Sequence, residues 1–141
     1  MISNFRRIAY RYLFLMVVVG FALVAGCPAP TPGERIVQLN GRISDRGNQV
    51  IDLDLSGTSV TDNDMGYIHG LCSNSRGKWR SIHTLNLSNT AITDRSLEMM
   101  AMQNEFSSPG GLQVLILTGT NTSAAAIQNF QQAAPNCQVQ K

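Results

Sequence analysis

The sequence predicts an α/β fold: a short solenoid of three strand-turn-helix units with parallel strands and capped ends, following an N-terminal signal or anchor segment. Three observations carry this expectation. A thirteen-residue phrase occurs three times without gaps, as LDLSGTSVTDNDM from Leu53, LNLSNTAITDRSL from Leu85 and LILTGTNTSAAAI from Leu115. The starts lie 32 and then 30 residues apart, a period typical of stacked architectures. Within each copy, leucines two apart (Leu53 and Leu55, Leu85 and Leu87, Leu115 and Leu117) share one face of a short strand. Each copy then continues into apolar residues at helical spacing, which supplies the crossover that parallel strands require.

At the N-terminus, Arg6, Arg7 and Arg11 precede an uncharged apolar run from Tyr12 to Ala25, the layout of a secretory signal peptide. The run ends in VAGC, Val24 to Cys27, which resembles the lipobox of bacterial lipoproteins. That resemblance implies that residues 1–26 are removed and that Cys27 becomes the mature N-terminus, carrying a diacylglyceryl group and an N-acyl chain. One acyl chain binds membranes only marginally, whereas several anchor stably. No other cofactor is expected. An uncleaved transmembrane helix is the alternative, because the run with its flanks approaches the roughly 20 apolar residues that span a bilayer. In both cases the arginines stay in the cytoplasm and the chain after Cys27 faces the periplasm or the exterior. Proline rather than aspartate follows Cys27, which by the same resemblance leans towards the outer membrane.

Residues 27–33 read as the lipidated cysteine and a semi-rigid tether, because Pro28, Pro30 and Pro32 favour extended backbone. The domain proper is then 34–141. Downstream of Cys27 the chain holds eight of its eleven basic residues against all nine acidic ones, a net charge of −1. Such a balance offers no general attraction to nucleic acid. ERIVQLNGRI, from Glu34, is expected to form a short helix whose Ile36, Val37 and Leu39 cover the first unit.

The three units fall near 50–72, 82–102 and 112–134. Thr61, Thr93 and Ser123 occupy one position of the phrase and suit helix N-caps. Val60 with Met65, Ile92 with Leu97 and, less well matched, Thr122 with Ile127 fit a hydrophobic staple. Asp62, Asp64 and Asp94 fall in first turns, where negative charge suits the helix dipole. The inward helix positions are Met65, Ile68 and Cys72; Leu97, Met100 and Ala101; and Ile127, Phe130 and Ala134. Two rim loops, Ser73 to Ser81 and Gln103 to Gly111, lengthen the units, and PNCQV supplies a closing strand with Cys137 and Val139 inward.

With Leu, Leu, Ser, Thr, Thr and Asp coinciding in the first two copies, the stretch Val50 to Val139 resembles leucine-rich repeat proteins. The nearest pattern is the cysteine-containing subclass, LxLxxTxITDxxL; the third copy departs from it after Thr120. Thr58, Thr90 and Thr120 stand where many members carry asparagine or cysteine, and their hydroxyls are expected to bond backbone of the turn leaving the strand. The resemblance implies protein binding on the strand face that points away from the core. If the strands stack in register, that face carries the rows Asp52, Thr84, Val114 and Asp54, Asn86, Ile116.

Chemistry has little support in the pattern. His69, Cys72 and His83 offer metal-ligand types, but no fourth ligand is evident and structural zinc wants four, so no metal is expected. Cys72 and Cys137 should lie two layers apart, past the roughly 7 Å that a disulfide tolerates. No nucleophile motif occurs, and Asp52 with Asp54 read as solvated carboxylates, so no enzyme is expected. The basic loop Arg76, Lys78, Trp79 and Arg80 is the second candidate surface, with cations around an aromatic that can grip an anion. The expected function is a membrane-anchored envelope lipoprotein that binds or scaffolds an unidentified protein. The alternative is a structural envelope component that holds peptidoglycan, glycan or lipid headgroups through that loop.

Overall fold

In the computed structural model, residues 28–72, 80–107 and 110–141 are described. Residues 1–27, where the signal segment and the lipidated cysteine were expected, and the loop residues Arg76, Lys78 and Trp79 lie outside them.

The described chain is α/β, with five strands in the spatial order of the sequence: β1 (Arg42–Gly47), β2 (Val50–Asp54), β3 (Ser81–Asn86), β4 (Val114–Ile116) and β5 (Gln138–Gln140). The first pair is antiparallel and the other three pairs are parallel. Leu53 aligns with Leu85, Leu115 and Val139 across four neighbouring strands. The three leucines are buried, as are Leu55, Leu87 and Leu117 one step beyond. The alternation predicted from the phrase therefore produces a continuous apolar interior on one sheet face.

Helices close that interior: α1 (Pro32–Gln38), α2 (Met65–Cys72), α3 (Asp94–Ala101), the short α4 (Asn104–Ser107) and α5 (Ala124–Ala133). A 3-10 turn, Asp62–Asp64, leads into α2. The expected inward residues Met65, Ile68, Cys72, Leu97, Met100, Phe130 and Ala134 are buried, whereas Ala101 and Ile127 are half-buried against the core. Ala126 takes the inward position at the start of α5. Neighbouring helices pack in sequence, α1 on α2, α2 on α3 and α3 on α5. Cys72 and Cys137 are both buried thiols and are not joined to each other.

Two expectations at the front change. Thr31 caps α1: its Oγ1 accepts from the Glu34 N–H, and the Glu34 carboxylate accepts from the Thr31 N–H at 2.8 Å. Pro32 and Gly33 thus belong to the helix, where extended backbone was expected as far as residue 33. Ile36 and Leu39 are buried as predicted, but Val37 is 70% exposed, because a seven-residue helix resting on α2 presents only one stripe to it. The strand β1 was not foreseen. It is exposed along its length, so it lacks apolar alternation, and it reverses through Asn48 and Gln49, both at positive φ (53° and 66°), as tight hairpin turns require.

The turns leaving β2, β3 and β4 are built alike. Thr58, Thr90 and Thr120 each donate a hydroxyl hydrogen bond to the carbonyl three residues back, at 2.7, 2.6 and 2.7 Å. This is the backbone bonding expected of those hydroxyls. The residue before each threonine is left-handed: Gly57 (φ 66°), Asn89 (φ 55°) and Gly119 (φ 73°). At Gly119 a Cβ would also stand 2.2 Å from Asn89 Oδ1. Gly119→Ala should therefore cost about 2 kcal/mol of stability, from left-handed strain plus displacement of the Asn89 side chain. Gly57→Ala, with open space around it, should cost about half as much. Urea midpoints of the two variants check the difference.

Candidate binding face of the sheet

The outward positions of β2, β3 and β4 form the two predicted rows in register, Asp52 with Thr84 and Val114, and Asp54 with Asn86 and Ile116. All six side chains are half-exposed. The sheet extends both rows beyond the three predicted strands, adding Ser44 and Gln138 to the first and Arg42 and Gln140 to the second. Five strands about 4.8 Å apart give a face roughly 19 Å wide between its edge strands. Charge collects on β1 and β2, amide and hydroxyl groups follow on β3, and apolar side chains with glutamines occupy β4 and β5.

The polar groups on this face are partly committed to the fold. Asp54 Oδ1 accepts from the Ser56 N–H at 3.0 Å, and Asn86 Oδ1 accepts from the Ser88 N–H at 3.1 Å and the Ser88 hydroxyl at 2.7 Å. Both act as Asx turns that lead the chain off the sheet. The Ser56 hydroxyl and N–H hold the Asp54 carboxyl below its ordinary pKa. Ile116 occupies the same position on β4 with no such bond to make, which leaves it for contact with something else.

Asp52 is the centre of a small charged cluster that pattern reading did not assemble. A register irregularity between Ile51 and Asp52 leaves His83 as an extra residue between Ile82 and Thr84, the partners of those two positions. The His83 Nδ1 lies 3.7 Å from Asp52 Oδ1 and 3.1 Å from Thr84 Oγ1. From the hairpin, Arg46 Nε donates to Asp52 Oδ2. Partial burial works to raise the Asp52 pKa, but hydrogen bonds from Arg46 and Thr84 and the Arg46 charge outweigh it, so the carboxyl sits below its usual range. The group is held as an ionised partner of Arg46, which is the wrong state for a general acid.

The other candidates are dispersed. His83 lies on the sheet face, whereas His69 and Cys72 belong to α2, where His69 borders a cleft with Met65, Met99, Gln103 and Phe106. Among the described residues no three His, Cys, Asp or Glu side chains are grouped as metal ligands would be. Arg80, the described member of the basic loop, is exposed, and its N–H donates to the Cys72 carbonyl at 2.8 Å, closing the base of the loop. No described helix is long and apolar enough to cross a membrane.

The helix caps carry a second network, unforeseen in its reach between segments. Asp62 does not serve its own helix alone: Oδ1 accepts from the Thr93 N–H at 2.9 Å, Oδ2 from the Thr93 hydroxyl at 2.7 Å, and Ser96 also donates to it. Asp94 does the same for the following cap, accepting from the Ser123 N–H at 2.6 Å and hydroxyl at 2.8 Å. On the front side, Arg35 Nε donates to Asp64 at 2.8 Å, tying α1 to the first cap. Each cap is thus bridged to a neighbour by a carboxylate. A comparison with protein-family models finds no match, and a comparison with curated proteins finds none either.

Proposed function

We propose that this chain is a lipid-anchored extracytoplasmic protein whose leucine-rich repeat module binds a protein partner on the exposed face of its sheet, without catalysis. The observation that carries the reading is the register of Leu53, Leu85 and Leu115, which sets two rows of half-exposed side chains across neighbouring strands. Such a face is polar over β1 to β3, apolar at β4 and edged by glutamines on β5. Extended surfaces of this kind suit macromolecular contacts. Its width fits a modest interface, at the lower end of specific complexes.

Support for the repeat assignment comes from three turns sharing one left-handed residue and one hydroxyl-to-carbonyl bond. Support for the anchor comes from Arg6, Arg7, the apolar run and VAGC before Cys27. The noncatalytic reading rests on Asp52 and Asp54 being bound to Arg46 and Ser56.

Two variants test the two halves separately. Cys27→Ser should abolish incorporation of labelled fatty acid and release the protein from membranes; continued labelling would refute the anchor. Ile116→Asp, on the apolar part of the face, should cut partner recovery from native envelope at least about tenfold, the scale of a central contact residue, while leaving the folded domain intact. Undiminished recovery would place the contact elsewhere.

A further inference from the structure

We infer that Val37 and Ile43 form a second, membrane-facing surface that rests on the bilayer holding the lipid anchor; this inference depends on the anchor proposed for Cys27. Among the described residues, the large hydrophobic side chains left exposed are Val37 at 70%, Ile43 at 40% and Met102 at 82%. Met102 stands at the end of α3 and lines a separate groove with Ala101, Ala126 and Phe130, far in sequence from Cys27. Val37 and Ile43 instead line one shallow groove with Gly33, Glu34 and Gln38. The pair comes from α1 and β1, the two elements that follow the tether directly. Neither side chain is used by the core or by the two rows of the sheet face.

Chain length brings this groove to the membrane. Cys27 and the start of α1 at Pro32 are separated by five residue steps, at most about 17 Å of extended chain. Val37 lies five residues further along the helix, about 7.5 Å. The groove therefore cannot stray more than roughly 25 Å from the point where the acyl chains enter the bilayer. A domain held so close explores every orientation against the surface, and the one that buries exposed apolar area is favoured.

Arg42, next to Ile43 in sequence, belongs to the opposite, outward face of the sheet beside Asp54 and takes no part in the groove. Glu34, the charged residue that lines the groove, is an exposed carboxylate that the Thr31 N–H keeps below its usual pKa, so the contact is made by the aliphatic side chains with Glu34 left at the watery rim. The consequence for the sheet is a polarity of placement. β1 would lie at the membrane side, with β4 and β5 about 14 and 19 Å away across the sheet, leaving Val114, Ile116, Gln138 and Gln140 accessible.

Depth quenching tests this on the full chain, processed in a bacterial host and reconstituted into phosphatidylethanolamine–phosphatidylglycerol vesicles containing nitroxide-labelled lipid. Val37→Cys and, as a distant control, Gln132→Cys on α5 are labelled with bimane; the native thiols Cys72 and Cys137 are buried. Quenching should be several-fold stronger at position 37 than at 132, and adding Ile43→Asp should bring it down to the control level. Equal quenching at the two positions, with the acyl chains verified on Cys27 by mass spectrometry, overturns the inference. So does absent quenching together with a disulfide between two copies when an unlabelled Val37→Cys sample is oxidised with copper phenanthroline, which would assign the groove to a second molecule. Missing acyl chains would instead refute the anchor, and the membrane-facing assignment would fall with it.

Discussion

Leu85→Ala is expected to lower the unfolding free energy by about 3–4 kcal/mol, the largest effect of any single truncation in the sheet. Leu85 is fully buried and lies on the central strand between Leu53 and Leu115. Both neighbours hold it in place, so the structure has little freedom to collapse into the space left behind, and the cavity adds to the lost transfer energy. A small domain is stable by only about 5–15 kcal/mol, so much of its margin would go. Thr84→Ala, one residue earlier on the outward face, should change stability by about 0.5 kcal/mol or less. Urea unfolding of the two variants distinguishes them. Equal costs would contradict the assignment of inward and outward faces from which the binding surface is derived.

Asp62→Ala should cost about 2 kcal/mol, because its removal leaves the Thr93 N–H and the buried Ser96 hydroxyl without their acceptor. The estimate is kept at the lower end for charged hydrogen bonds because water can reach part of the carboxylate. Asp94→Ala should cost less, since its partner Ser123 is exposed. The same bonds predict acid sensitivity. Partial burial works to raise the Asp62 pKa but is outweighed by bonds from Ser96 and Thr93, so the folded value falls below the ordinary one. A depressed carboxylate pKa contributes stability that is fully present above about pH 4, the unfolded value, and is lost as pH falls through the folded value. Unfolding measured from pH 6 down to pH 2 should show this loss, and Asp62→Ala should flatten the slope. An unchanged slope would mean that Asp62 does not bridge the two caps in solution.

The contrast between foreseen and unforeseen features has a physical pattern. Features set by local periodicity were legible: the buried leucines, the register of the two rows, the N-caps at Thr93 and Ser123, and the threonine turns all follow from spacing within one phrase. Features set by contact between segments were not. β1 pairs with β2 through backbone bonds and has exposed side chains throughout, so no apolar pattern marks it. The turn residues Gly47-Asn48-Gln49 were the available signal for a hairpin. Asp62 and Asp94 looked like ordinary first-turn acids, and only the neighbouring layer reveals their acceptor role across segments. His83 reached the Asp52 cluster through a register irregularity that alternation cannot express. The recruitment of Asp54 and Asn86 into Asx turns was readable in DLS and NLS, where a serine follows two residues later.

The face also looks different once its bonds are known. Its charged end is largely self-neutralised by the Arg46–Asp52 pair, and its Asx side chains are fixed by the turns. Among the described residues of the two rows, Val114 and Ile116 are the apolar side chains, and they are flanked by the glutamines of β5. Contact with a partner is accordingly expected to centre on β4 and β5 rather than evenly across the sheet.

Site-specific photo-cross-linking in the intact envelope tests that expectation most directly. A photoreactive amino acid placed at Ile116 should give a discrete adduct with a second protein, reproducibly of one mass, whereas the same group at Gln132 on α5 should give none. Adducts at Gln132 alone, or equal yields at both positions, would contradict the claim that the exposed sheet face is where this protein meets its partner.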